Sequence, residues 1–128
     1  CTSECPANQT GKKLSPRKIM MDTRDRLEKV SLNISKNKGE FIDDGDRLLD
    51  NYISKEELWA CTSCNACVEA CPINIDPLSI IMDMRQYLIM EESSAHPDLN
   101  NMMNNIENNG APWPYNQLDR ELWAQETQ

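Results

Sequence analysis

The chain has 128 residues, an apolar share of 39% and a single Phe, so it is about one domain with a small hydrophobic core. Its net charge of −8, with few aromatic residues among the basic ones, excludes a nucleic-acid binder. The sequence contains no run of about 18 apolar residues, which excludes a membrane-spanning helix within this segment.

The first predicted element is a short cysteine segment, CTSECP, which carries Cys1 and Cys5 and leads to a helix. Ser15 is a candidate N-cap and Pro16 suits the first helical position, so we expect a helix from there to about residue 31. Its apolar face would contain Ile19, Met20, Leu27 and Val30. A glycine and an acidic loop within residues 39–46 should separate this helix from the next one.

A second, shorter helix is predicted directly before the main cysteine segment. Ser54 and Glu57 form an S-x-x-E capping box, which marks a helix N-terminus. The helix would carry Leu58 and Trp59 and end at Cys61. Trp59 would either shield a site at Cys61 from water or serve only in packing.

The segment CTSCNACVEACP places Cys61, Cys64, Cys67 and Cys71 in the spacing C-x2-C-x2-C-x3-C-P. In bacterial iron–sulfur proteins this spacing supplies three thiolates to one cubane and a fourth thiolate to a second cluster. Pro72 prevents the backbone from continuing as a helix behind the fourth thiolate. The sequence therefore predicts [4Fe-4S] clusters, which should contribute much of the stability of a protein with so small a core.

Cysteines in this number have two alternative uses. A structural zinc site usually takes four thiolates in two separated pairs, and the unbroken triple fits a cubane better. A disulfide framework is the other alternative, but the thiols are spaced too densely for a typical secreted one. Thiolates that stay reduced predict a cytoplasmic location.

A long helix is predicted after the main cysteine segment. Asp76 and Pro77 repeat the cap-plus-proline arrangement, and the helix should reach about residue 92. Its apolar side chains cover most of its circumference, which is typical of a helix that is buried on several sides. They are Leu78, Ile80, Ile81, Met84, Tyr87 and Leu88. No segment alternates with period two, so the fold class is predicted to be all-α.

The two cysteine segments and their following helices are copies of one unit. Residues 15–27 and 76–88 both read S/D-P-x-x-I-x-M-D-x-R-x-x-L. The helices are offset by 61 positions (15 to 76) and the cysteines by 66 (1 to 67), so the first copy holds five extra residues. By analogy with the second copy, we expect two more cysteines six and three residues before Cys1. The alternative is that Cys1 is the lipidated first residue of a processed lipoprotein.

The C-terminal part is predicted to be a helical extension. A helix from about Pro97 to Asn108 has apolar residues at positions i, i+3, i+4 and i+7, and Gly110 suits its C-terminal cap. The prolines within residues 111–116 predict an irregular segment, and a last short helix should occupy residues 118–125.

These residues resemble the α-helical ferredoxin family. The resemblance rests on CTSECP, on CTSCNACVEACP, and on the helices SPRKIMMDTR and DPLSIIMDMRQYL. Such domains occur in an iron–sulfur subunit of heterodisulfide reductase and in iron–sulfur subunits that serve glycerol-3-phosphate, glycolate and lactate oxidation. The resemblance implies a two-cluster domain over residues 1–92, followed at 93–128 by a linker similar to those that lead to cysteine-rich CCG domains.

The resemblance also implies which cysteine binds which cluster. Cluster one would be bound by Cys61, Cys64 and Cys67, together with Cys5 from the other segment. Cluster two would be bound by Cys71 and Cys1, with two further ligands upstream. All six cysteines are then metal ligands, and none of the residues is assigned a catalytic role.

The function implied is electron transfer through [4Fe-4S] clusters, as an iron–sulfur subunit of a heterodisulfide-reductase-like complex. We expect no substrate-binding catalytic site in this segment. One alternative is an electron carrier for a flavin-linked glycolate, lactate or glycerol-3-phosphate dehydrogenase. An alternative of a different class is a zinc-stabilised interaction module without a redox role.

The distribution of charge bears on possible partners. Residues 11–38 hold nine Lys and Arg against three Asp and Glu, a net of +6, whereas the rest of the chain nets −14. This basic stretch either docks an acidic partner, such as a flavoprotein subunit, or forms a solvated face. The resemblance implies a flavoprotein or catalytic subunit or a CCG-type domain as partners, and a membrane anchor upstream that would hold the chain at the cytoplasmic face.

Overall fold

The computed structural model describes residues 1–125, and Arg120 only in its backbone. It contains two compact units, Cys1–Tyr87 and Leu88–Gln128. Within residues 1–125 the regular secondary structure is helical and no β-strand forms, which confirms the predicted all-α fold class. The all-α fold class does not establish where the two-cluster domain ends, so its predicted end at residue 92 stays a prediction.

The helices of the first unit follow the predicted order, with two short additions next to cysteines. Their bounds are α1 (Pro6–Gln9), α2 (Pro16–Lys36), α3 (Lys55–Ala60), α4 (Ala66–Glu69) and α5 (Pro77–Met90), the last of which continues past Tyr87. An irregular turn at Leu48–Tyr52 precedes α3, and Asp50 has a φ of 74° within it.

The caps that were predicted for α2 and α3 are present. The Ser15 hydroxyl accepts a hydrogen bond from the Lys18 N–H at 3.3 Å, and Pro16 occupies the first turn of α2. At α3, Ser54 and Glu57 form both hydrogen bonds of the capping box. At α5, Asp76 accepts from two backbone N–H groups in the same way.

Helix α2 is longer than expected, because nothing in the sequence stops it near residue 31. It continues to Lys36 and ends where Lys38 and Gly39 adopt φ values of 58° and 101°. The Gly39 N–H donates to the Ile34 carbonyl at 3.0 Å, which satisfies one of the last carbonyls of the helix.

The core of the first unit is small, as the composition predicted. The leucine and isoleucine side chains that are almost fully buried there are Leu14, Ile19, Leu49, Ile53, Leu58 and Ile81. Helix α2 packs against the Leu48–Tyr52 turn. Within helix α5, Ile81 is almost fully buried, whereas Met82 and Tyr87 are 47% and 46% exposed.

The basic stretch of the sequence is partly neutralised inside the first unit. Arg26 forms a two-bond ion pair with Asp44, with N···O distances of 2.6 and 2.8 Å. Lys29 pairs with Asp46 at 3.2 Å. Helix α2 is therefore attached to the acidic loop that follows it, a pairing that neither interpretation of the basic stretch anticipated.

A third basic residue of α2 connects it to α3. The Lys18 ammonium donates to the Tyr52 carbonyl at 2.8 Å and lies 3.0 Å from the Glu57 carboxylate. Burial opposes the ionisation of Glu57, but the Ser54 N–H and Lys18 together hold its pKa below the usual value. The carboxylate therefore serves the capping box and the ion pair at once.

The second unit contains α6 (Pro97–Asn109), a 3-10 helix (Gln117–Glu121) and α7 (Leu122–Gln125). His96 caps α6 by accepting from the Asp98 N–H at 3.4 Å, and Gly110 ends it with a φ of 65°. The single predicted helix at 118–125 is thus two short pieces. No helix of the described chain is long and apolar enough to cross a membrane.

Candidate metal centre

The six cysteines are all free thiols, and all lie in the first unit. Most of them flank the short helices. Cys5 directly precedes α1 and is buried, Cys61 directly follows α3, and Cys67 lies within α4. Cys64 is exposed in the loop before α4, and Cys71 follows that helix. The additional helices α1 and α4 therefore set the positions of cysteine side chains.

The loop between α3 and α4 is curled by two residues in the left-handed region. Ser63 and Asn65 have φ values of 56° and 64°. This conformation is uncommon for residues other than glycine, and local contacts must hold it. The curl turns the Ser63 N–H toward the Cys61 sulfur, to which it donates at 3.4 Å.

A similar turn follows Cys71. Asn74 has a φ of 52°, and the Ile75 N–H donates to the Cys71 sulfur at 3.4 Å. The Ile73 and Ile75 N–H groups lower the pKa of the Cys71 thiol because they stabilise the thiolate. Hydrogen bonds from backbone N–H groups to sulfur are one of the means by which a protein adjusts an iron–sulfur cluster.

Three of the four thiols predicted for cluster one come together. Burial raises the pKa of the Cys67 thiol, and Coulombic repulsion from the nearby Cys61 and Cys5 raises it further. Cys5 and Cys61 are 56 residues apart in the chain (5 to 61), so the fold has brought the two cysteine segments near each other. The fourth predicted thiol, Cys64, has its pKa lowered by the Ala66 N–H and the Thr62 hydroxyl.

The two thiols predicted for cluster two line one cavity of about 150 Å³. Cys1 and Cys71 face it, together with Cys67. The rest of the lining is mostly apolar and comes from α2 and from the segment that leads into α5, namely Pro16, Arg17, Met20, Met21, Ile75 and Pro77. Cys67 thus borders this cavity and also the group formed by Cys5 and Cys61.

The donor set fits iron–sulfur clusters in its chemistry. Cys67 is near Cys5 and Cys61 and shares a cavity with Cys1 and Cys71, and backbone N–H groups donate to two of the sulfurs. Across residues 1–125, no three side chains of His, Cys, Asp or Glu are gathered closely enough to share one metal ion. A cubane distributes its four thiolates over four irons, so its ligands stand farther apart than those of a single ion.

The sequence did not predict one residue of the site. Arg85 of α5 donates hydrogen bonds to the carbonyls of Leu58 and Cys61, at the point where α3 passes into the first ligand loop. The sequence held one indication of it, because Arg85 belongs to the repeated M-D-x-R pattern. That pattern could not show what the side chain contacts.

The chain matches a known protein family over both cysteine segments. Residues 1–75, more than half of the chain, match the family described as a 4Fe-4S dicluster domain. That range includes all six cysteines and ends just before α5. No solved structure matches the chain.

Curated relatives are iron–sulfur proteins. The chain is 30% identical to a probable iron-sulfur-binding oxidoreductase, FadF, of Bacillus subtilis, over 98% of the chain and 22% of that protein. It is 31% identical to a probable membrane-anchored ferredoxin of Chromohalobacter salexigens, over 97% of the chain and 20% of that protein.

A more distant relative matches over a shorter stretch. An iron-sulfur subunit of the CoB–CoM heterodisulfide reductase from Methanocaldococcus jannaschii is 29% identical over 74% of the chain and 39% of that protein. The chain thus spans about a fifth of the length of the Bacillus and Chromohalobacter proteins.

Proposed function

Since the chain belongs to the family of 4Fe-4S dicluster domains and its cofactors are [4Fe-4S] clusters, we propose that it transfers electrons within an oxidoreductase complex that resembles heterodisulfide reductase. The observation that carries the proposal is the placement of Cys67. This residue neighbours Cys5 and Cys61 and also borders the cavity of Cys1 and Cys71. Two sites so close together suit the passage of electrons from one to the other.

The proposed ligands follow the same two groups. Cys5, Cys61, Cys64 and Cys67 would hold cluster one, and the proximity of three of these thiols supports that set. Cys1 and Cys71 would be ligands of cluster two, which needs two more thiolates than these. The assignment crosses the repeat, because Cys5 of the first segment completes the site of the second.

When bound, each cluster would accept and release one electron at a time. The chain itself would orient the thiolates, exclude water around Cys5, and donate N–H groups to sulfur at Cys61 and Cys71. Four thiolates on cluster one leave no iron open to substrate, so the segment would pass electrons without catalysis of its own.

The proposed partners are other subunits or domains of an oxidoreductase. One relative is named as an oxidoreductase and another as an iron-sulfur subunit of heterodisulfide reductase, and both names fit an electron carrier between a flavoprotein and a catalytic subunit. A third relative is named as membrane-anchored, which supports a place near a membrane. We propose the cytoplasmic side, where thiolates stay reduced.

The test is the metal and sulfide content of the protein after anaerobic purification, with zinc measured in parallel. We expect about four irons and four acid-labile sulfides per chain, because one site has a full set of thiolates. About eight of each would support the same function and show that another group completes cluster two. Zinc without sulfide would overturn the proposal in favour of an interaction module.

A further inference from the structure

We propose that Arg85 is a positioning residue for cluster one, which fixes the backbone of the first ligand loop and holds a positive charge beside it. The inference rests on the proposed function, since it concerns the cluster that Cys61 would bind. It assigns a role to a residue that lies outside the cysteine segments and outside residues 1–75 of the family match.

The hydrogen bonds of Arg85 are directed at the end of α3. Its Nη2 donates to the carbonyl oxygens of Leu58 and Cys61, both at 2.5 Å, and its Nε donates to Leu58 at 3.0 Å. The last carbonyls of a helix lack partners within the helix and carry partial negative charge. The planar guanidinium bridges the Leu58 carbonyl, which also accepts from the Cys61 N–H at 3.4 Å, and the Cys61 carbonyl just after the helix, and by doing so it fixes where Cys61 begins the loop.

Further contacts hold the guanidinium in place. It stacks on the Trp59 ring, with 5.0 Å between the guanidinium carbon and the ring centroid. Its Nη1 lies 3.5 Å from the hydroxyl of Ser63, one of the two left-handed residues of the loop. Arg85 therefore touches the loop at Cys61 and at Ser63, the residue whose N–H reaches the Cys61 sulfur.

Among the residues that the structure describes, no carboxylate pairs with Arg85. Across residues 1–125 its hydrogen-bond partners are carbonyls, a hydroxyl and a thioether. A reduced cluster carries one more negative charge than an oxidised cluster, so a nearby cation stabilises the reduced state. Arg85 should therefore raise the reduction potential of the cluster that Cys61 binds.

The repeat provides a matched control. Arg24 occupies the same position in the first copy of the M-D-x-R pattern, 61 residues earlier (24 to 85). Its side chain is 62% exposed and pairs with Asp25 at 2.7 Å. Arg24→Met therefore removes the same charge from the same kind of helix without touching the ligand loop.

The experiment compares Arg85→Met, Arg85→Lys and Arg24→Met with the unchanged chain. The readouts are the reduction potential, from a titration followed by electron paramagnetic resonance, and the rate of iron loss to a chelator. Arg85→Met should lower the potential and release iron about tenfold faster, as expected for the loss of charge-assisted hydrogen bonds. Arg85→Lys should nearly keep the potential but still lose iron faster, because an ammonium cannot bridge two carbonyls as a flat fork does.

Arg24→Met should match the unchanged chain in both readouts. The proposal is overturned if Arg85→Met keeps the native potential and rate, or if Arg24→Met shifts both equally. If Arg85→Met assembles no cluster, the Arg85→Lys variant decides the question. Faster iron loss at a near-native reduction potential supports the positioning role of Arg85. A native rate of iron loss rejects it. A lack of iron and sulfide in the unchanged chain would instead refute the proposed function.

Discussion

At the scale of single residues, the position of Cys5 is the most informative about the candidate metal centre. It is 6% exposed and lies beside Cys67, although Cys67 belongs to the other segment. A buried thiolate is costly unless it is bound to metal or otherwise paired. The burial of Cys5 is therefore consistent with a ligand that connects the two halves of the unit.

Cys5→Ser should lose the iron of cluster one and also lower the helicity of the first unit, because the bond across the repeat is removed. Iron content and far-ultraviolet circular dichroism measure the two effects. Cys1→Ser is the matched control, and it should keep the iron of cluster one. A Cys5→Ser protein with full helicity and normal iron would contradict the crossed ligand set.

Asp44 is the residue with the most clearly shifted pKa. Its ion pair with Arg26 lowers the pKa of the Asp44 carboxyl to about 2, below its usual value of about 3.9. A lowered pKa in the folded state gives stability that is fully present above the unfolded-state pKa. That stability is lost as the pH falls from about 4 toward about 2.

Comparison of the chain with an Asp44→Asn variant at pH 7, where the cluster is intact, isolates the contribution of this ion pair. The variant should unfold at a lower denaturant concentration at pH 7, and the gap should narrow as the pH falls below about 4. Urea unfolding at several pH values gives the measurement. Equal urea midpoints for the two proteins at pH 7 would show that the pair does not stabilise the fold.

At the scale of elements, the capping box of α3 is important although the helix is short. Its six residues deliver Cys61 to the ligand loop, and a helix this short has little stability of its own. The Ser54 hydroxyl accepts from the Glu57 N–H and donates to the Glu57 carboxylate at 2.9 Å.

Ser54→Ala should lower the free energy of unfolding by about 1 kcal/mol, the usual cost of an N-cap. Ser31→Ala, at an exposed position within α2, serves as the control and should change stability little. Denaturant unfolding of both variants provides the comparison. Equal stability of the two variants would mean that the ligand loop, and not the cap, fixes α3.

Much of the element pattern could be predicted because it rests on local chemistry, and the cysteine ligand set stays a prediction drawn from spacing. Caps at Ser15, Ser54 and Asp76 act within a few residues, and ligand spacing is itself a sequence property. The four-residue helices α1 and α4 could not be predicted, since helices so short depend on packing. The contacts of Arg85 likewise arise only when α5 reaches the end of α3.

The contacts of the basic stretch could not be predicted either, because they join residues that are far apart in the sequence. Its positive charge is plain in the sequence, but its pairing with the acidic loop through Arg26–Asp44 and Lys29–Asp46 requires the folded chain. The stretch is therefore in part an internal electrostatic contact of the first unit, and less of it remains to attract an acidic partner.

At the scale of the whole molecule, the small core implies that folding depends on the cofactor. Among the described residues few apolar side chains are fully buried, and most of the thiols that would hold clusters flank the short helices. Removal of iron with a chelator should abolish cooperative unfolding and reduce helicity, as followed by circular dichroism. Reconstitution with iron and sulfide should restore both. A metal-free chain that still unfolds cooperatively with full helicity would contradict this dependence.

Cys5 lies near Cys67 although the two belong to different copies of the repeat, and this proximity bears on how such a chain could have evolved and how it could be divided. If each copy of the repeat supplies a ligand to the other copy, neither copy can serve alone as a one-cluster module. A duplication of this kind becomes permanent once the ligand is exchanged, because loss of either copy disables both sites. Each half, expressed separately, should then bind no cluster, and a cluster should assemble only when the two halves are mixed.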